Sequence, residues 1–312
     1  MKYASLIVTF NRKKKLVNAL NSVLNQTLKP EMIILIDNHS TDGTKQLLDE
    51  LGFLDNPIIH YYELDQNYGG SGGYYRGVEA ALKFSNQFEY LSFSDDDAYF
   101  DQNFFAKISQ ACEENPSIHA FTGTVKTSAG NIQLLHRRKI INHDTLQDKV
   151  LPEEQYNSNF LEDMFSFVGS VVDIKLISQI GLPHKDYFIY FDDTEYSLRV
   201  REKTQILNVS DAIVTHDVKV SPNSAAASPI TWKSYYDLRN SMLMKRQHSQ
   251  WPLLNVYFFA RFVNISGKVL FQKQYRGIRK RGLYTYLQAY RDGMRNRSGK
   301  NPLFVPGHKL PY

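Results

Sequence analysis

Cysteine is almost absent: Cys112 is the only one in 312 residues. That excludes an internal disulfide and a cysteine-ligated zinc site, and it fits a reducing compartment. No stretch of about 18 consecutive apolar residues occurs, so no segment reads as a helix that crosses a bilayer unaided. The opening MKYASLIVTFNRKKK has a short apolar run with its basic cluster behind it and no small-residue cleavage site. It reads as a buried strand rather than a leader peptide, and the chain as cytoplasmic. Internal repeats and zinc-type histidine spacings are also missing. What is present is 42% hydrophobic and 13% aromatic residues, enough for a sizeable core, which excludes disorder and fibrous repeats.

The net charge of +5 hides an asymmetry. From Trp232 onward there are 16 basic and two acidic residues, Asp237 and Asp292, whereas the first 231 residues carry 21 basic against 30 acidic. An acidic body with a basic tail suits an anionic membrane surface, an oligomer contact or nucleic acid, and charge alone does not choose among them.

Short β-rich runs near 3–10, 32–36, 58–63, 90–94 and 120–125 alternate with helical spacing over 14–24, 44–51, 73–84 and 102–114. That is the pattern of an α/β fold, a mostly parallel sheet with helices on both faces. In such a sheet ligands bind beyond the carboxyl ends of the strands, so Asn11, Asp37, Asn67 and Asp95 to Asp97 should face one crevice. Residues 130–155 are polar and read as an irregular lid, and Ser221–Pro229 (SPNSAAASP) reads as a linker. The expected domains are 1–220, a linker 221–230, and a basic, aromatic-rich helical region 231–312, in which Tyr275–Arg297 has the pattern of a basic amphipathic helix.

Leu91-Ser92-Phe93-Ser94-Asp95-Asp96-Asp97 ends an apolar strand in three carboxylates, which repel unless a cation lies among them, and hard oxygen ligands suit Mg²⁺ or Mn²⁺. An acidic turn capping the next helix is the simpler alternative. Asp37-Asn38-His39-Ser40-Thr41-Asp42-Gly43-Thr44 holds helix-capping residues, but Asp37 at the strand end can accept from a planar heterocycle. Asn67-Tyr68-Gly69-Gly70-Ser71-Gly72-Gly73-Tyr74-Tyr75-Arg76 lets backbone approach a ligand ahead of a helix, where the amino terminus and Arg76 make an anion site.

With Val8-Thr9-Phe10-Asn11-Arg12, these stretches resemble the inverting family 2 glycosyltransferases of the GT-A fold, over roughly the first 220 residues. The resemblance implies a Rossmann-like sheet with a C-terminal helical extension. It puts Thr9, Arg12 and Asp37 around the nucleoside, Gly72, Arg76, Asp95 and Asp96 along the donor, and Asp95 and Asp97 on a divalent cation. Tyr187-Phe188-Ile189-Tyr190-Phe191-Asp192-Asp193-Thr194-Glu195 is similar to the F-x-x-x-D-D-x-E segment of galactofuranosyltransferases. An inverting transferase needs one carboxylate to deprotonate the acceptor hydroxyl, and the resemblance makes it Asp193. Asp192 and Glu195 either touch acceptor or serve the following helix, Glu195 by pairing with Arg199. His216 holds the place of a third metal ligand in those relatives. Arg239, in a Y-x-x-R-N element, is either a cation for the departing diphosphate or a structural partner, and Phe165 and Phe167 lie where relatives stack acceptor sugars.

The resemblance thus implies transfer of galactofuranose from UDP-galactofuranose to a glycan hydroxyl, with Mn²⁺ or Mg²⁺. The acceptor would be carried on a polyprenyl diphosphate during cell-surface polysaccharide synthesis. A rhamnosyltransferase using dTDP-rhamnose is the alternative within the class. A nucleotidyltransferase and a non-catalytic sugar-nucleotide binding module are the alternatives outside it. For the basic tail the expectation is contact of 275–297 with the inner face of the cell membrane, with packing or a homo-oligomer as the other reading and nucleic acid disfavoured for want of a recognised module.

Overall fold

The computed structural model describes residues 1–218 and 230–308. They divide into two compact units. The first holds Met1–Lys139, Lys149–His184 and Asp193–Val218; the second holds Ile140–Asp148, Lys185–Asp192 and the described residues from 230 onward.

In chain order the elements of the alternating region are β1 (Tyr3–Thr9), α1 (Lys13–Leu24), β2 (Met32–Asp37), α2 (Thr44–Glu50), β3 (Ile59–Glu63), α3 (Gly69–Leu82), β4 (Tyr90–Asp95), β5 (Ala98–Phe100), α4 (Phe104–Glu114) and β6 (Ala120–Lys126). There follow β7 (Arg137–Asn142), β8 (Gln147–Val150), β9 (Phe160–Glu162), β10 (Met164–Phe165), β11 (Ser170–Asp173), α5 (Ile174–Ile180), α6 (Asp192–Arg201) and β12 (Ile206–His216). The main sheet runs β3-β2-β1-β4-β11-β6-β12-β5, with β9 also on β12. Strands β1 to β4 pair in parallel, as do β6 and β12, while β11, β5 and β9 run against them. A strand covered on both faces needs apolar residues on both. In β1, Tyr3 and Ile7 enter one core and Ala4, Leu6 and Val8 the other, which is why the run is continuous rather than alternating.

Three glycines of α3 are required by packing as well. A Cβ on Gly73 would lie 2.5 Å from Val8 Cγ1, and one on Gly77 2.2 Å from Leu6 Cδ1, so these two let the helix lie close on β1. Gly72 is needed by the chain's own turn, because its Cβ would come within 2.3 Å of Tyr68 Cβ. The helix begins at Gly69, four residues before the periodic pattern predicts.

Residues 130–155 are irregular only in part: 137–142 and 147–150 form β7 and β8, which belong with β10 to a three-stranded sheet. Arg137, charged and expected on a polar excursion, is fully buried, donating to Gly123 O at 2.7 and 3.0 Å and to Val168 O at 2.9 Å. Glu162 lies 3.7 Å from its guanidinium and accepts from Thr122 Oγ1. Burial raises the Glu162 pKa to about 8, with the Arg137 charge opposing the shift.

The second unit is built on α7 (Lys233–His248), α8 (Leu254–Phe271) and α9 (Arg279–Met294). Its core joins Phe188, Tyr235, Tyr236, Met242, Phe258 and Phe304. The expected 275–297 helix is shorter, and Gly282, Thr285, Ala289 and Gly293 are its buried side. The expected linker lies outside the described residues except for Ile230, which is buried. Among the described residues no helix is long and apolar enough to cross a membrane.

Candidate active site

The ends of β1, β4 and β12 bring one acidic cluster together. Val8 of β1 is in register with Asp95 of β4, and His216 ends β12 opposite Ala98 of β5, so the Asp95–Asp97 corner and His216 share the carboxyl edge of the sheet. Asp95, Asp97 and His216 each offer a ligand atom, and the three atoms lie within 4.8 Å of one another. Two carboxylate oxygens and one imidazole nitrogen form a donor set that fits a divalent cation.

Each carboxylate of the corner has a separate partner set. Asp95 Oδ1 accepts from Tyr74 Oη at 2.6 Å, and burial pushes the Asp95 pKa up. Asp96 turns inward. It accepts from Thr9 Oγ1 at 2.8 Å and Phe10 N at 3.2 Å, so it ties the corner to the end of β1. Burial raises its pKa to about 6 against the pull of Arg12. Asp97 accepts from Arg12 Nη1 at 2.6 Å and lies 3.3 Å from His216 Nε2. Burial works against its charge, but the His216 hydrogen bond and the Arg12 charge hold its pKa below the usual range. For His216, burial opposes the cation, yet Asp97 and the Asp95 charge raise its pKa.

Behind the histidine lies a network. Gln133 Nε2 donates to His216 O at 3.0 Å, which fixes the amide so that Oε1 faces the rings. Gln133 Oε1 is 3.3 Å from His216 Nδ1 and 3.2 Å from His136 Nε2, and His136 Nδ1 meets Ser166 Oγ. Burial holds the His136 pKa well below its ordinary value, so that ring is neutral. With the amide oxygen as shared acceptor, His216 donates from Nδ1 and turns Nε2 toward Asp97.

Asp193 is partly accessible in the first turn of α6. Its Oδ1 accepts from Thr194 N at 2.6 Å and Thr194 Oγ1 at 3.1 Å, and that hydroxyl in turn accepts from Arg138 Nη2 at 2.7 Å. Burial raises the Asp193 pKa, the Arg138 charge and the Thr194 bonds offset part of that, and the Asp95 charge adds to it. A partly accessible carboxylate with a raised pKa, within electrostatic reach of a metal-type cluster, is suited to take a proton.

The remaining candidates divide. Asp37 is 2% exposed, and each of its oxygens already accepts one bond, from Ser40 N at 2.7 Å and from Tyr61 Oη at 2.7 Å. Thr9 donates its hydroxyl to Asp96 and is buried; Arg12 remains half exposed. Arg76 pairs with Glu79 one turn along α3, at 2.8 Å. Glu195 is buried and clasped by Arg199 at 2.8 and 3.1 Å, the structural reading of that residue. Asp192 is buried.

Two expectations fail. Phe165 and Phe167 are core residues, Phe167 stacked 4.8 Å from Phe93, and a ring packed on both sides has no face for a sugar. Arg239 is buried inside the second unit, where it donates to Asn240 Oδ1 at 2.8 Å, Gly299 O at 2.6 Å and Tyr187 O at 3.2 Å. Its engaged donors give it a structural role there in place of a diphosphate contact. Sequence reasoning also missed Gln133, His136, Tyr74 and Arg138. Tyr74 lay in a stretch already singled out, and the other three lie in the 130–155 segment read as a lid, where no spacing marks them individually.

The family described as Glycosyl transferase family 2 matches residues 5–171. Galactofuranosyltransferase GlfT2 of Mycolicibacterium smegmatis is 27% identical over 275 residues, 79% of this chain and 41% of that protein. The GalNAc(5)-diNAcBac-PP-undecaprenol beta-1,3-glucosyltransferase of Campylobacter jejuni is 30% identical over 133 residues, 42% of this chain and 40% of that protein. The chain thus spans about two fifths of the length of either relative. Among solved structures, GalNAc-T7 with UDP, GalNAc and Mn²⁺ superposes with a TM-score of 0.62 at 14% identity, over 95% of this chain and 56% of that one. That likeness is one of fold, the GT-A glycosyltransferase fold.

Proposed function

The chain belongs to glycosyl transferase family 2, and on that premise we propose that it transfers galactofuranose, with inversion, from UDP-galactofuranose to a glycan hydroxyl. The observation that carries the reading is the Asp95, Asp97 and His216 cluster, its ligand atoms within 4.8 Å of one another and Asp193 in electrostatic reach. The galactofuranosyl donor is supported by the relative that matches 79% of the chain.

Asp95, Asp97 and His216 would hold the divalent cation. When bound, the cation neutralises charge developing on the leaving diphosphate. Arg12, half exposed and fixed by Asp96 and Asp97, adds a cation on the same edge. Asp193 takes the acceptor proton, and Arg138, through Thr194 Oγ1, holds the carboxylate in place. With no second nucleophile assigned, the reaction is a single displacement in which the new glycosidic bond forms as the bond to the diphosphate breaks and the proton moves to Asp193.

The setting that fits these residues is synthesis of a surface polysaccharide. The acceptor would be carried on a polyprenyl diphosphate, a kind of substrate supported by the name of the Campylobacter relative, and the enzyme would be peripheral on the inner face of the membrane. Catalysis falls within residues 1–220 in this reading.

Slow hydrolysis of sugar nucleotides, with divalent metal and no acceptor, tests it. Release of UDP from UDP-galactofuranose that stops with chelator supports the donor. Turnover of dTDP-rhamnose instead would replace the donor and keep the class. Silence on every donor, with UDP still bound in calorimetry and no transfer to glycan acceptors, would favour a binding module.

A further inference from the structure

Helix α8 has two apolar faces. Leu254, Phe258 and Val269 are buried in the second unit, and Phe262 stacks on Tyr290 at 4.6 Å. On the opposite side, at spacings of three, four and seven, stand Val256, Phe259, Val263 and Leu270, with Phe271 closing the helix. Phe271 is 83% exposed, Val256 61% and Phe259 56%. A helix apolar on all sides is ordinarily buried on all sides. Here none of the described residues covers one side. The stripe runs into a cationic turn in which Lys268, Lys273, Arg276, Arg279 and Lys280 are all exposed, and no acidic residue lies between 237 and 292.

We propose that this side of α8, with the turn that follows it, docks on an anionic bilayer. The helix lies in the membrane plane, with its apolar stripe at the acyl boundary and the cations of the turn on the headgroups. A lipid surface is the occupant that satisfies both halves of the patch. A second copy offering the same face would bring like charges together. Nucleic acid supplies phosphate but no apolar phase for Val256 and Phe259. The cations of residues 276–280 stay in the contact expected of 275–297, but its apolar part moves to α8, because the α9 helix turns Gly282, Thr285, Ala289 and Gly293 inward. Docking through α8 gives the peripheral association proposed above its surface, and it stands whichever sugar nucleotide is the donor.

The full chain is sedimented with phosphatidylcholine vesicles, with and without phosphatidylglycerol, and compared with V256S/F259S/F271S and with K273E/R276E. Because all five positions are exposed, both variants should melt with the wild type and hydrolyse donor at its rate. The expected result is binding only to the phosphatidylglycerol vesicles, weakened about tenfold or more in each variant, and weakened by salt. As a second measurement, V263W should show indole fluorescence quenched by brominated acyl chains. Wild-type binding that both variants retain, with no quenching at residue 263, would keep the membrane association and remove α8 from it. Failure of the wild type to bind would remove both. A wild-type dimer that V256S/F259S/F271S converts to monomer would assign the stripe to a second copy and overturn the proposal.

Discussion

Gln133 Oε1 sits 3.3 Å from His216 Nδ1 while Gln133 Nε2 donates 3.0 Å to the carbonyl of the same residue. One amide therefore holds both the backbone and the ring of His216. Turning the amide over would put an acceptor against the carbonyl and donors against the ring, so its orientation is determined. The ring follows, donating from Nδ1 and turning Nε2 toward the carboxylates.

Gln133 should accordingly govern metal affinity without touching the metal. Gln133→Leu is expected to weaken Mn²⁺ binding about 10- to 100-fold, the usual effect of losing a group that orients a ligand. Titrating free Mn²⁺ by electron paramagnetic resonance reads this without turnover. An affinity within twofold of wild type, in a protein that melts normally, would leave Gln133 with no part in the site.

Asp193→Asn should lower transfer by about 100- to 10,000-fold, the range for a lost general base, and leave UDP binding intact. The amide keeps the size of the side chain and its acceptor toward Thr194, so folding is little disturbed. Full activity in this variant would end the proposal that Asp193 is the base.

The pH profile follows from the direction of the Asp193 shift. Its pKa is raised by burial, and only the ionised form accepts a proton, so activity is present above that pKa and is lost as pH falls through it. The acid limb of kcat/KM should therefore lie above the usual aspartate value near 3.9, and Arg138→Met should move it further up by removing the charge that opposes the shift. A limb at the ordinary value in the wild type, or one moved down in the variant, would contradict this.

Glu162 makes a separate stability prediction. Its folded pKa of about 8 exceeds that of an unfolded glutamate, so the native state holds this proton more tightly, and the contribution falls as pH rises from about 4.5 toward about 8. Between about pH 5.5 and 7.5 the loss is on the order of 2 kcal/mol. Glu162→Gln should flatten that dependence in urea unfolding and keep an acceptor for Thr122. An unchanged slope would mean that the carboxylate is ionised throughout.

Asn240 is expected to matter more than a helix amide usually does. Phe188, Tyr190 and Phe191 have φ of 66°, 67° and 69°, a region that side chains with a Cβ seldom enter. The Asn240 amide donates to Tyr187 O, Ile189 O and Tyr190 O at 2.8 to 2.9 Å, inside the second unit. Asn240→Ala should cost about 2 kcal/mol or more, since it removes the bonds and leaves the backbone strain. A loss of a few tenths in urea unfolding would show that core packing alone holds the turn.

The sequence was most legible where one residue type has one physical reason. The apolar runs of β1, β2 and β4 could only be strands covered on both faces, and the Asp95 to Asp97 corner could only repel itself without a cation or a cationic side chain. It was least legible where a side chain does the opposite of its ordinary behaviour. Arg137 reads as solvent-facing and is buried, because Gly123 O, Val168 O and Glu162 compensate it from segments distant in the chain. Phe165 and Phe167 were placed by resemblance on a sugar platform, and only the tertiary packing, which buries both and stacks Phe167 on Phe93, makes them core.

From the sequence alone came the alternating architecture, the acidic strand end, Asp193 as the candidate base and the charge asymmetry of the tail. Those depend on local periodicity, on the order of short motifs and on composition, all of which are one-dimensional. Only the tertiary structure decided that Asp96 faces β1 while Asp95 and Asp97 meet His216, that Gln133 sets the imidazole, and that the uncovered apolar side belongs to α8. Each of those depends on which distant segments a side chain faces, and that is settled by packing the whole chain at once rather than by any window of it.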